Sequence, residues 1–105
     1  MKKLTLNLTV YGGISVLGII FKLFKKGIAD PVVEETKSGS FSYDFELEPD
    51  TEYDLYIIGS NPISENKRTI IKLDHDHFTF DPTSDKNPVT KTGKAYLVTY
   101  SFNTN

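Results

Sequence analysis

Between Phe41 and Ile57 every second residue is large and apolar. Phe41, Tyr43, Phe45 and Leu47 alternate with Ser42, Asp44 and Glu46, and after Pro49-Asp50 the alternation resumes in Tyr53, Leu55 and Ile57. A period of two puts such residues on one face of a strand and scatters them around a helix, so the stretch has to be extended. Pro lacks the ladder donor and Asp tolerates turn geometry, which places a turn at Pro49-Asp50. The simplest reading of Ser38–Ile58 is a β-hairpin. Its register follows from matching faces: Leu47 opposite Tyr53, Phe45 opposite Leu55, Tyr43 opposite Ile57. That register sets Glu46 against Asp54 and Glu48 against Glu52, and opposed like charges destabilise a ladder. Splayed, solvated carboxylates would relieve that opposition, and a cation beside them is the alternative: a lysine of a neighbouring strand, a partner, or a metal ion.

The rest of the chain repeats the pattern. Lys3–Tyr11 alternates strictly, with Leu4, Leu6, Leu8 and Val10 on one face. Gly12-Gly13 turns the chain, and Ile14–Lys25 reads as a second strand covered on both faces, with a bulge at Gly18. Val32–Thr36, behind Pro31 and rich in charge, has the character of a short edge strand. Gly59–Asn66 is a loop and Lys67–Leu73 a strand. Phe78 and Phe80 fall on the opposite parity to Ile71 and Leu73, which requires a bulge or turn at Asp74–His77. Asp81–Gly93 is a long loop. Lys94–Asn103 is the last strand, with Tyr96, Val98, Tyr100 and Phe102 inside and Leu97, Thr99 and Ser101 outside. The expectation is one domain over 1–105, an all-β antiparallel sandwich of about seven strands.

Composition agrees. The 105 residues include seven Phe and six Tyr, which suit strands. Cysteine is absent, so disulfides and thiolate chemistry are excluded. The net charge of −2 hides an uneven distribution. Residues 1–28 carry five lysines and no acid, and residues 30–54 carry nine acids and one lysine. Such polarity favours self-association or an oriented protein partner. It argues against nucleic acid, which calls for a basic face with stacking aromatics. Met1-Lys2-Lys3 followed by apolar residues has the start of a signal peptide, but Thr5, Asn7 and Thr9 interrupt the apolar region and no small-residue cleavage site follows. No run reaches the length of a membrane span. Localisation stays unknown, with an extracytoplasmic site favoured if a leader has been trimmed away.

Gly39, Phe41, Tyr43, Leu47, Pro49, Asp50, Tyr53 and Leu55, preceded by Gly18-Ile19-Ile20-Phe21-Lys22-Leu23, resemble the glycine, aliphatic strand and Pro-turned hairpin of the carboxypeptidase regulatory-like, or prealbumin-like (transthyretin-like), β-sandwich. The resemblance covers about residues 4–58. The acidic residue that usually precedes the family's hairpin glycine is Ser38 here. It implies a fold and an accessory, adhesive or assembly role, often on bacterial surfaces, without catalysis. An immunoglobulin-like sandwich of different topology is the alternative.

Two sets of residues stand out as candidate sites. Asp74, His75, Asp76 and His77 carry metal-type ligands; imidazoles two apart share a strand face, and Asp81 or Asp85 would complete the set. With the 81–93 loop they define an alternative ligand- or metal-ion-binding role. Tyr11, Tyr56, Ile58 and Leu97 fall on outward parities and form a candidate interaction surface. No serine sits in a nucleophile-elbow pattern, and phosphate-loop and dinucleotide fingerprints are missing. No cofactor and no catalytic residue are expected. The leading expectation is a non-enzymatic interaction or assembly module.

Overall fold

The computed structural model describes all 105 residues and contains no helix. Nine strands form: β1 (Lys2–Tyr11), β2 (Ile19–Lys25), β3 (Val33–Lys37), β4 (Phe41–Leu47), β5 (Glu52–Ser60), β6 (Arg68–His75), β7 (Thr79–Phe80), β8 (Val89–Lys91) and β9 (Ala95–Asn103). They build two antiparallel sheets, ordered β4-β1-β6-β8 and β3-β2-β5-β9-β7. The sheets face each other as a β-sandwich. The two strands beyond the expected seven are short: β7 has two residues and β8, inside the expected 81–93 loop, has three.

The strands around Pro49-Asp50 do form, and their apolar faces point inward, but they do not make a hairpin. β4 pairs with β1, setting Phe45 opposite Leu4 and Tyr43 opposite Leu6. β5 pairs with β2 and β9, setting Leu55 between Leu23 and Tyr100. The turn carries the chain from one sheet to the other. Alternation fixes which face of a strand is buried, and the inner faces of both sheets meet that requirement equally. The expected opposition of Glu46 with Asp54 and of Glu48 with Glu52 therefore never arises. Three of these acids have lysines near them instead: Glu46 lies opposite Lys3 of β1, Glu48 pairs with Lys25 of β2 at 2.9 Å, and Lys26, just past β2, lies 3.5 Å from Glu52.

Ile14–Lys25 is not one strand either. Gly18 sits at φ +91°, a conformation open to glycine, and turns the chain into β2 rather than bulging within it. Ile14–Leu17 lies outside both sheets. The parity switch at Asp74–His77 is a turn, as expected, and it too moves the chain between sheets, from β6 to β7.

Eighteen buried residues form one core, contributed by the inner faces of both sheets. Phe21 on β2 lies at its centre. Its ring meets Phe41, Tyr43 and Phe45 of the facing sheet at centroid distances of 5.4, 5.1 and 5.7 Å. A second set of rings, Phe78, Phe80 and Phe102, closes the opposite side. Removing a ring as enclosed as Phe21 costs about 3–5 kcal/mol.

Two ends follow from the strand directions. One gathers the loops 12–18, 38–40, 61–67 and 92–94. The other gathers the chain termini and the turns 26–32, 48–51 and 76–78.

Candidate interaction surface

At the first of these ends the chain leaves aliphatic side chains in solvent. Ile14, Val16, Leu17 and Ile63 are 70%, 52%, 85% and 90% exposed. Scattered surface aliphatics are ordinary; four on adjoining loops at one end are not. The loops that carry them are fixed from below by buried polar groups. Asn61 is buried, and its amide donates to the carbonyls of Lys91 and Gly93 at 3.1 and 2.6 Å while its Oδ1 accepts from the buried Thr69 hydroxyl at 2.6 Å. The Ser15 and Ser60 hydroxyls bond each other at 2.8 Å, and the Leu17 N–H donates to the same Ser60 oxygen at 2.8 Å. The Ser15 N–H donates to the Ser38 carbonyl, which ties in the β3–β4 turn. Gly12, at φ +100°, passes so close to Ser64 and Lys67 that a side chain there would press on both. Beneath the same end, Gly59 leaves room for the Tyr96 ring, which a Cβ would overlap.

Between Val16-Leu17 and the loop Asn61–Lys67 runs an open groove of about 610 Å³, with Lys67 and Lys94 on its walls and Glu65 as its one acid. Arg68 stands close by, its guanidinium 4.0 Å from the centroid of the Tyr11 ring.

The four outward residues expected to make an interaction surface divide between the faces. Ile58 and Leu97 are opposite each other, and Ile20 flanks Ile58 on the other side, making an aliphatic row across the outer face of the five-stranded sheet. Tyr56 lies two residues along, its ring edge-on to Phe24 at 5.7 Å. This row lies beside the apolar end. Tyr11 belongs to the outer face of the other sheet and packs under Arg68, so it does not join the row.

The Asp74–His77 segment does not assemble a metal centre. Asp74 accepts from the Asn7 amide at 2.7 Å and pairs with Lys72 at 3.3 Å. His75 turns onto the aromatic rings, 5.5 Å from Phe78 and 4.8 Å from Phe80, and its Nδ1 accepts the Phe78 N–H. Desolvation by those rings holds its pKa below the usual imidazole value. His77 is 97% exposed, with Asp76 beside it. The strand ends at His75, so the two imidazoles never share a strand face. Asp81 accepts from Thr83 and Asp85 from the Thr99 N–H. No three His, Asp or Glu side chains come together as a metal-holding group.

A second hollow, of about 380 Å³, lies at the opposite end beside Lys26, Glu52, Asp54 and Asp81. Its polar groups are matched internally, Asp54 by the Ser101 hydroxyl at 2.6 Å and Lys26 by Glu52.

Sequence reasoning absorbed Ile14, Val16 and Leu17 into a strand and so missed the loop platform. The signal was available: Gly12-Gly13 and Gly18 bracket the segment, and Ile63 is a lone large aliphatic in a polar loop. No protein-family model matches the chain, and no curated protein and no solved structure matches it significantly. No helix is long and apolar enough to cross a membrane.

Proposed function

We propose that this chain is a non-catalytic interaction or assembly module that engages a protein through its apolar loop end and the adjoining row Ile20, Ile58 and Leu97. One observation carries the reading: four exposed aliphatic side chains stand on loops that a buried hydrogen-bond network holds in place. Covering one such side chain contributes about 1.5–3 kcal/mol, and a platform that is already ordered loses little entropy on docking. The lysines around the groove add orientation. The resemblance to prealbumin-like modules supports the same role and adds the expectation of an accessory domain on a bacterial surface or in a secreted system.

The test is site-specific crosslinking. A photoreactive residue in place of Ile63 should give a discrete protein adduct in the source cell. Leu17→Ser combined with Ile20→Ser, made alongside that label, should reduce the adduct at least tenfold while leaving the melting temperature within a few degrees. An adduct indifferent to these changes, or the absence of one, removes the reading.

A further inference from the structure

The unpaired charges of the molecule are sorted by end. Of the twelve basic side chains, Lys3, Lys22, Lys25, Lys26, Lys37, Lys72 and Lys91 have an acidic partner within 4.0 Å. Lys67, Arg68 and Lys94, all at the apolar end, do not. The acids with no lysine or arginine within 4.0 Å lie mainly towards the other end: Asp30 and Asp50 in its turns, Asp76 next to His77, Asp81 just after β7, and Glu46 and Asp54 on the adjoining parts of the strands, where Asp54 accepts from the Ser101 hydroxyl. Glu65 at the apolar end, and Lys2 at the acidic end with Lys86 in the 81–88 loop, are the counterexamples. The acidic end also exposes apolar groups, Ile28 and Val32 beside Asp30. One end thus offers aliphatics beside unpaired cations, and the other offers aliphatics beside a surplus of acids, its Lys25 and Lys26 being neutralised by Glu48 and Glu52.

We propose that the partner is a second copy of this chain, docked end to end: the Leu17–Ile63 end of one copy against the Ile28–Asp30 end of the next. This rests on the interaction-module reading above and names its partner. An anionic bilayer would also suit the cationic loop tips, but it would leave the complementary far end unexplained; a second copy accounts for both. The contact is heterologous, so it does not close on itself and generates a linear array. The molecule measures 42 × 24 × 22 Å, which sets a repeat of about 42 Å along its long axis. Its end section limits the contact to roughly 500 Å² per copy, at the small end of specific interfaces, so association is weak and responds to concentration and salt.

Sedimentation velocity of the whole chain tests this, from about 10 μM to about 1 mM and at low and high salt. The weight-average mass should climb with concentration without stopping at the dimer, and fall back on adding salt. Reversing one end with Lys67→Glu and Lys94→Glu should leave monomers, and so should reversing the other with Asp30→Lys and Asp76→Lys. An equimolar mixture of the two variants should associate again, because each reversed end now meets its complement; that rescue also shows both variants to be folded. A wild-type chain that stays monomeric throughout overturns the proposal, as does a mixture that stays monomeric. Indifference to reversal of the acidic end also overturns it, since an isologous contact would use one end only. Binding of the monomer to phosphatidylserine vesicles without self-association would assign the apolar end to a membrane surface instead. If the wild type is monomeric but the residue 63 crosslink captures a different protein, the end-to-end inference fails and the interaction-module reading stands. If neither occurs, both fail.

Discussion

At the scale of the residue, His75 shows how a side chain that looks like a ligand becomes part of the packing. Its ring covers Phe78 and Phe80, and its Nδ1 must be unprotonated to accept the Phe78 N–H. Burial lowers its pKa from the ordinary 6.5, so folding favours the neutral ring. The sign follows: above the unfolded value the contribution is complete, and below it the unfolded chain takes up a proton that the folded chain resists, so stability falls with pH. Melting temperature should drop between pH 7 and pH 5 from this source, and only slightly, because His75 keeps an exposed face that water screens. His75→Phe should flatten that interval. Asp44 and Asp81 act at lower pH. Hydrogen bonds from Thr5 and Thr83 hold them below the ordinary carboxylate value, and their contribution is lost as pH falls through their folded pKa. Residue identity alone marked His75 as special; that it serves a ring stack depends on where β7 places Phe80.

At the scale of the element, the decisive feature is the crossing between sheets. From β4 onward each strand lies in the sheet opposite its predecessor, and β2–β3 is the one pair of consecutive strands that hydrogen-bond to each other. Turns that cross between sheets have no ladder to close them and need other partners. The turn Glu48–Thr51 finds one in Thr104, whose buried hydroxyl donates to the Glu48 carbonyl at 2.7 Å and accepts the Thr51 N–H at 3.0 Å. Thr104→Val keeps the shape and removes both bonds. It should cost about 1–3 kcal/mol, read as a lower urea midpoint with an unchanged slope. Nothing near Pro49 in the sequence points to Thr104, because the two are brought together by β5–β9 pairing.

At the scale of the molecule, ladders join segments distant in the chain: β1 to β4 and β6, β5 to β2 and β9. Loop closure has to precede the burial that compensates for it, so folding is slow for the chain's size. Refolding from urea, followed by tyrosine fluorescence in stopped flow, should take milliseconds to seconds rather than microseconds. The same topology gathers four loops at one end and three turns at the other, and so creates two unlike ends that cut across the basic and acidic blocks of the sequence.

By itself the sequence determined the fold class and, for most strands, which residues are buried, because the extended chain alternates its side chains whatever it pairs with. Phe41, Tyr43 and Phe45, and the last strand from Tyr96 to Phe102, point inward as their parity requires. Only the tertiary structure decided which strands are neighbours, since both inner faces accept the same pattern and choosing between them depends on the whole set of ladders. It also decided the surface: Ile14, Val16 and Leu17 have a strand-like composition, and what holds them out in water is Asn61, Thr69, Ser15 and Ser60, drawn from three places in the chain.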